Sequence, residues 1–195
     1  MPRPQSFDES FVINKSMYLF WTQGYVATGI SQILKAVELK PGSFYNTFPS
    51  KKELFVRTLE HYRDHIVAGR VAKYLDGPED PIEAIESFFL SAFEPVPEKA
   101  MVGCFLTNTA TEIGKLDPEI SKVVWSGMEK IEAGFKRRVI EAQKSGMIDS
   151  GKDADALAVH LLSCFQGLGV IGRLSRDKSR LKSMTQSALD SLRSL

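Results

Sequence analysis

Residues 29–48 read GISQILKAVELKPGSFYNTF, and their pattern predicts two short helices joined by a tight turn. In the first half, apolar residues recur at intervals of three and four, which places them on one face of a helix. They are Ile30, Ile33, Leu34 and Val37. Polar side chains separate them and face the other way. The apolar face therefore has to pack against another element of the fold.

The second half of the stretch predicts a helix that begins near Pro41. Proline suits the first turn of a helix and holds the preceding residue, Lys40, away from helical geometry. Phe44 and Phe48 are four residues apart and share a face that can be buried. The other face is small and uncharged, which favours close approach to a polar surface. Two such helices around a tight turn form a helix-turn-helix, a DNA-binding arrangement.

The region around this stretch resembles a known family. Residues 40–55, KPGSFYNTFPSKKELF, and the helix before them are similar to the DNA-binding segment of the tetracycline-repressor (TetR/AcrR-type) family of transcriptional regulators. The residues whose spacing defines this motif are Tyr45, Phe48, Lys51, Leu54 and Phe55. The resemblance covers about the first 60 residues, and it implies a ligand-responsive repressor that a small-molecule effector releases from a palindromic, double-stranded DNA operator.

Several residues of this region are expected at the DNA. A helix N-terminus attracts anions, so Thr28 and Gly29 should meet a phosphate, unless Thr28 only caps the helix. An asparagine can pair with adenine, and an aromatic edge can touch a thymine methyl, although Phe44 also suits a core position. In the family, the position of Tyr45 is usually a phosphate contact. The expected set is Thr28, Gly29, Lys40, Pro41, Gly42, Ser43, Phe44, Tyr45, Asn46 and Lys51.

Composition places the chain among compact proteins: 43% of its 195 residues are hydrophobic, enough for a substantial core in one or two domains. A net charge of +1 argues against a general nucleic-acid coat protein. The charge is uneven, because residues 1–75 carry ten basic and six acidic side chains and the remainder has a net charge of −3. This difference is consistent with a basic DNA-binding head on an acidic body.

Targeting and redox signals are few. The apolar runs are judged too short to span a bilayer and the N-terminus has no signal pattern, so we expect a cytoplasmic protein without a membrane partner. Cys104 and Cys164 lie in apolar helical contexts without paired spacing, which indicates neither a disulfide framework nor a zinc site.

The whole chain predicts an all-α fold of about nine helices, because no β pattern of useful length and no repeat is visible. A polar arm that includes Arg3 precedes a first helix between Asp8 and Gly24, which completes a three-helix head. A long helix from Lys51 to about Leu75 links this head to the rest. The predicted domains are a helix-turn-helix DNA-binding domain over 1–50 and a helical effector-binding and dimerisation domain over 51–195.

Two motifs suggest other chemistry but have a better structural explanation. GLGVIG at 167–172 has the letters of a dinucleotide-binding loop, but that motif needs a preceding strand and a βαβ unit, and this one lies in a helical pattern. His61 and His65 have the spacing of a metal pair, but Tyr62 replaces the glutamate of a zincin and no third ligand is evident. We therefore predict neither a cofactor nor a metal site.

The second domain of the family usually holds an inducer pocket, so the resemblance implies a small-molecule effector. The candidate contacts, whose composition also suits any packed helical core, are Phe89, Cys104, Asn108, Trp125 and Phe165. Some members of the family sense electrophiles or oxidants through a cysteine. Cys104 at the start of a helix is a candidate for that role, and an inert core thiol is the alternative.

No catalytic arrangement of nucleophile and base is readable, so the chain is not expected to be an enzyme. Two other hypotheses stay open: a DNA-binding regulator without an effector, and a helical enzyme that uses Cys104. Release of the operator by a small molecule, binding that nothing releases, and a reaction lost in Cys104→Ser would distinguish the three.

The last two helices are expected to form a two-fold homodimer, which suits a head whose single short helix contacts few bases of a palindromic site. The alternative is that these helices only complete the core of the monomer. The expected interface consists of Leu161, Leu168, Ile171, Met184, Ala188 and Leu192.

Overall fold

The computed structural model of the protein describes residues 7–93, 103–115, 117–175 and 177–194. Within these ranges it contains nine helices and no strand, which confirms the all-α prediction. The helices are α1 Glu9–Gln23, α2 Ile30–Ala36, α3 Pro41–Thr47, α4 over residues 51–75, α5 Pro81–Leu90, α6 Phe105–Ile113, α7 Pro118–Lys144, α8 Ala154–Leu174 and α9 Lys178–Ser194. The arm with Arg3 lies outside the described residues.

Helices α1 to α3 form the head. α1 begins where the Asp8 carboxylate accepts the backbone N–H groups of the next turn, and it ends at Gly24, whose φ is 87°. The turn between α2 and α3 places Glu38 at a φ of 54°, a left-handed conformation that costs about 1 kcal/mol outside glycine. The Leu39 N–H closes this turn by donating to the Leu34 carbonyl over 3.1 Å. The head therefore has the predicted helix-turn-helix geometry.

Helix α4 runs without a break from the head into the body. Ser50 caps it by accepting the Glu53 N–H over 3.1 Å, as the sequence predicted. The Phe55 ring lies 4.8 Å from that of Phe20 of α1, so the first turns of α4 belong to the core of the head. Two segments, Tyr62–Val67 and Val71–Leu75, wind as π-helix, a geometry that is frequent at functional sites.

The body, α5 to α9, is built around an aromatic cluster. Phe88 of α5 lies 5.3 Å from Phe135 of α7 and 4.8 Å from Phe165 of α8, between ring centroids. The long helices α7 and α8 are joined by a short loop and pack side by side as antiparallel neighbours. Their facing ends are connected by an ion pair of 2.5 Å between Lys136 and Asp155.

The α8 and α9 residues that were expected at the dimer interface face inward, which corrects that set of residues. Leu161 and Leu168 of α8 are buried within the chain, and so are Ala188 and Leu192 of α9. Ile171 and Met184 are partly buried against the same core. These faces contribute to the core of the monomer. A dimer would have to use another surface.

Helix α8 is long and apolar enough to cross a membrane by length and composition alone, contrary to the expectation from the apolar runs. A core helix of a soluble protein passes the same test. Here α8 packs against α7 and α9 inside the body.

Candidate functional site

Helix α3 presents small and polar residues to solvent. A Cβ added at Gly42 would meet no atom within 4 Å, so nothing inside the protein requires glycine there. Glycine is less favourable than alanine within a helix, and at this exposed position it leaves the backbone of α3 open to close approach from outside. Ser43 is half-buried, and the exposed residues of this surface are Lys40, Pro41, Gly42, Tyr45 and Asn46.

Phe44 does not belong to this surface, which corrects its assignment to the DNA-contacting set. Its side chain is 0% exposed and its ring lies 5.4 Å from that of Phe48. The edge of the same ring packs against Tyr45 at 5.3 Å. Phe44 therefore anchors α3 in the core of the head and supports the Tyr45 side chain from below.

Gly29, not Thr28, forms the entry of α2. Thr28 is 0% exposed, and its hydroxyl donates to the Gly24 carbonyl over 2.6 Å. The Thr28 hydroxyl is therefore neither the cap of α2 nor exposed to a phosphate, which corrects the predicted role of this side chain. Gly29 is the N-cap, is exposed and has no side chain, so the backbone at the start of α2 is accessible.

Lys51 in the first turn of α4 lies over the ring of Tyr25, with 4.3 Å between Nζ and the ring centroid. An aromatic face attracts a cation without neutralising its charge, so the ammonium stays available to a phosphate. The Tyr25 ring is itself fixed against Phe55 at 4.6 Å. Burial raises the pKa of the Tyr25 hydroxyl, and the nearby Asp117 carboxylate raises it further. Sequence reasoning treated Tyr25 as part of a linker, although an aromatic residue directly after a helix-ending glycine was a usable signal.

Glu112 of α6 ties the body to the turn between α1 and α2. Its carboxylate accepts the backbone N–H groups of Tyr25 over 3.0 Å and Val26 over 2.8 Å. Gly24 has a positive φ, which favours glycine, and a Cβ there would lie 2.9 Å from this carboxylate and displace it. The turn that carries Tyr25, and with it the platform of Lys51, is thus held by the body.

Lys52 makes the second link between head and body. Its Nζ lies 2.7 Å from Asp117 and 2.9 Å from Glu119, at the start of α7. The hydrogen bond to Asp117, and then that to Glu119, raise the pKa of Lys52, and the bond to Lys52 lowers the pKa of Asp117. Nearby, the indole N–H of Trp21 donates to the Gly103 carbonyl over 3.1 Å.

The expected effector contacts do not gather into one site. Phe89 and Phe165 are both buried, with 5.5 Å between ring centroids. Cys104 is the N-cap of α6 and its sulfur accepts the Tyr62 hydroxyl at 3.9 Å. Burial raises the pKa of that hydroxyl well above its ordinary value.

The other two expected contacts lie at the surface of the body. The Asn108 amide oxygen accepts a hydrogen bond of 2.8 Å from Arg173 of α8. Trp125 on α7 is 54% exposed. Trp125 therefore does not line an interior pocket of the monomer, and its assignment as an effector contact is corrected.

An open cleft of about 350 Å³ between α5 and α9 contains none of the expected contacts. It is lined by Glu86, Leu90, Lys182, Ser183, Thr185 and Gln186.

Among the described residues, neither the histidine pair on α4 nor the glycine-rich segment of α8 has the surroundings that a metal or dinucleotide site needs. His61 and His65 lie 4.4 Å apart between ring centroids on α4, and burial followed by the charge of His65 lowers the pKa of His61. In the part of the chain that the structure describes, no three metal-ligating side chains come together. Residues 167–172 are continuous helix inside α8, which is not the strand-to-loop geometry of a dinucleotide site.

Comparison with known proteins agrees with this arrangement of head and body. Residues 12–58 match the family model described as bacterial regulatory proteins of the tetR family. Residues 81–188 match the model described as the tetracyclin repressor-like C-terminal domain. The second match alone spans more than half of the 195 residues.

Individual relatives are similar over nearly the whole chain. The uncharacterized HTH-type transcriptional regulator YezE of Bacillus subtilis is 27% identical over 98% of this chain and 100% of its own. The HTH-type transcriptional repressor ComR of Escherichia coli is 27% identical over 96% of this chain and 90% of its own.

Among solved structures, the TetR family regulator CifR, as a cysteine mutant with 26-bp operator DNA, superposes with a TM-score of 0.84. It is 23% identical to this chain and covers 97% of it and 99% of its own chain, a likeness that shows the fold. The helix-turn-helix head, the helical body and the matches to two family models show that the protein belongs to the TetR family of DNA-binding, helix-turn-helix transcriptional regulators.

Proposed function

We propose that the protein is a repressor that binds a palindromic operator through α3 and releases it when a small molecule binds the body. The observation that carries this proposal is the exposed, uncharged face of α3, in which Gly42 has no role in the protein's own packing. A side-chain-free position on a short helix lets a DNA groove come close. In this role the protein works in the cytoplasm and has no catalytic step.

The roles within the head follow from exposure and chemistry. Asn46 has the donor and acceptor that pair with adenine, and Gly42 and Pro41 lie where the helix enters the groove. Phosphates are held by the remaining polar groups, which fix the register of the head on the duplex without reading sequence. These groups are Lys40, Ser43, Tyr45, Lys51 and the backbone at Gly29. The DNA-binding unit corresponds to residues 1–50 with the first turns of α4.

A homodimer is proposed on the outward face of α8. Exposed residues without charge recur there every three or four positions, which makes one continuous stripe along the helix. They are Ala156, Val159, Ser163, Gly167, Val170 and Leu174. Val159 is 49% and Leu174 84% exposed, unusual for large apolar side chains on a single helix face. Trp125, exposed on the adjacent α7, is of the residue type that anchors interfaces.

The outward face of α9 is different, which supports α8 as the main contact. Its exposed residues include Lys182, Ser183, Gln186 and Ser187, side chains suited to solvent or to the rim of an interface. Small residues on the α8 stripe allow two copies of this helix to approach closely around a two-fold axis. Such a dimer presents two copies of α3 to a palindromic site.

Effector response is proposed to act through α4 and the Glu112 contact, within the unit of residues 51–195. α4 carries Lys51 at one end and packs in the body at the other, so a change of packing around it moves the head. A ligand shifts this equilibrium only if it binds the DNA-free conformation better, with a typical coupling of about 1–3 kcal/mol.

Selection from a random library of DNA duplexes by the purified protein tests the proposal. We expect a two-fold symmetric consensus, bound by the wild type in a fluorescence anisotropy titration and released by at least one small molecule from a metabolite library. Recovery of no consensus would contradict DNA recognition. A consensus that no compound releases would support the alternative of a regulator without an effector.

A further inference from the structure

Arg70 on α4 is a half-buried cation without a carboxylate partner. Its guanidinium carbon lies 5.5 Å from the centroid of Phe88 and 5.7 Å from that of Phe165. One terminal nitrogen donates to the Ser91 hydroxyl over 2.6 Å, while Nε is buried and has no hydrogen-bond partner. The ion pairs within the described ranges do not include Arg70.

This environment is unfavourable for a permanent positive charge. The aromatic faces attract the guanidinium, but an interior charge without a counter-ion and a buried N–H without an acceptor both oppose folding. The other arginine with a largely buried side chain is satisfied: Arg138 donates to the Leu75 carbonyl and pairs with Glu141 at 2.5 Å. Arg70 is therefore positioned for an acceptor that the described part of the chain does not supply.

A second buried donor without a partner lies on α8. Gln166 follows Phe165 on α8, and its amide oxygen accepts the Thr107 hydroxyl. Its amide nitrogen is buried without a partner. The unsatisfied Nε of Arg70 is a donor, so the partner that it lacks has to be an acceptor. Arg70 also acts on the buried Tyr62, where its charge opposes the rise of the hydroxyl pKa that burial causes.

We propose that the effector is a small organic acid whose carboxylate is bound by Arg70 and whose apolar part packs against the aromatic cluster that contains Phe88 and Phe165. This inference rests on the proposed function, in which some effector binds the body. A planar guanidinium binds a carboxylate in a bidentate manner. One cation among aromatic side chains matches a singly charged carboxylate better than a phosphate dianion.

The position of Arg70 also connects binding to the head. It lies on α4, between the π-helical segments Tyr62–Val67 and Val71–Leu75, and α4 begins at Lys51. A bound carboxylate draws Arg70 out of its present contact with Ser91 and so shifts the packing of the helix that carries Lys51. Release of DNA would follow from this movement.

The test uses the full-length protein without DNA, titrated in a calorimeter with benzoate, phenylacetate and hexanoate, their methyl esters, and inorganic phosphate. We expect at least one of the acids to bind the wild type, its ester and phosphate to bind at least tenfold more weakly, and Arg70→Met to lose at least tenfold in affinity. Arg137→Gln is the control, because Arg137 pairs with Asp76 at the surface and should bind as the wild type does.

Thermal unfolding separates this role from a structural one. Without ligand, Arg70→Met should melt at or above the wild-type temperature, because an apolar side chain replaces an unpaired interior charge. A structural role predicts a clear loss of stability. If Arg70→Met does not fold, Arg70→Lys decides: a tenfold loss of acid binding supports the inference, since lysine lacks the planar fork, and unchanged binding contradicts it.

The inference is overturned if the esters bind as tightly as the acids, if Arg70→Met binds the acids like the wild type, or if none of the acids binds. Its failure differs from that of the proposed function. If neutral molecules release the selected DNA, the proposed function is supported and the carboxylate effector is contradicted. If no small molecule releases the DNA, the claim that the protein responds to an effector is contradicted.

Discussion

Lys51 and Lys52 are neighbours in the sequence, yet their side chains are committed to different partners. Lys52 is held by two carboxylates of α7, and its charge is used inside the protein. Lys51 lies over the Tyr25 ring, which holds the ammonium in place and leaves its charge unneutralised. Of these two lysines, Lys51 is therefore the one that is available to displace counter-ions from DNA.

Replacement of Lys51 by alanine should weaken binding to all DNA sequences alike and reduce the salt dependence of the binding constant by about one ion. Lys52→Ala is the matched control and should leave the salt dependence unchanged. The measurement is the affinity for a selected and an unselected duplex at several salt concentrations. If the binding constants of the wild type and Lys51→Ala depend equally on salt concentration, Lys51 does not contact a phosphate.

The structural role of a residue in the head was predictable from the sequence only where local chemistry decides it. Pro41 at the start of α3 and Ser50 at the start of α4 follow from helix-end preferences, and both were placed correctly. The spacing of Phe44 and Phe48 showed a shared face, but not that another helix covers it completely. The Thr28 hydroxyl turned back to Gly24, a bond that competes with capping and has no pattern in the sequence.

At the scale of helices, α4 and α7 are joined by an ionic network of three side chains. Asp64 lies 2.6 Å from Arg63 of the same helix and 3.2 Å from Lys130 of α7. The hydrogen bond from Arg63, followed by that from Lys130, lowers the pKa of Asp64 to about 2. Because this is below the ordinary value of 3.8, the pair stabilises the fold fully above that pH and loses its contribution as the pH falls towards 2.

Asp64→Asn should therefore lower the free energy of unfolding at neutral pH, and the difference from wild type should vanish as the pH approaches 2. The Asp64 side chain is 43% exposed, so solvent screening keeps the effect to about 1 kcal/mol or less. Urea unfolding over a pH series measures it, with Glu129→Gln on α7 as a control outside this ion pair. A difference that persisted undiminished at pH 2 would show that the ion pair is not its cause.

Helix α8 shows what periodicity leaves undecided. Its sequence is apolar around most of the helix, so the pattern predicted its existence and length but did not distinguish the face that packs inward from the face that stays open. Leu161 and Leu168 lie on the inner face, and Val159 and Val170 on the outer one. Only the packing of α7 and α9 decides between them.

On the scale of the whole molecule, Val159→Glu with Val170→Glu should split the dimer while each monomer stays folded, because both positions are exposed. Operator affinity should fall strongly, since two linked heads bind a palindrome far more tightly than one. Light scattering and circular dichroism measure assembly and folding. Gln186→Glu on α9 is the control and should remain dimeric, whereas a double variant that stays dimeric would place the interface elsewhere.

The order of helices was readable from the sequence, but the contacts that join head and body were not. Helix ends at Asp8, Gly24, Asp117 and Asp153 are local features, and the structure has all of them. The Glu112 contact spans 87 residues to Tyr25 and depends on how α6 docks on the turn, which no local pattern contains.

The central claim is that α3 reads DNA, and it is tested most directly by the affinity of Asn46→Ala for the selected duplex. Asn46 is exposed and outside the core, so the variant should fold like the wild type. The account predicts a loss of at least about fivefold on the selected duplex, from about 1–3 kcal/mol per base contact, and no change on an unselected duplex. Equal affinity of the two proteins for the selected duplex would contradict it.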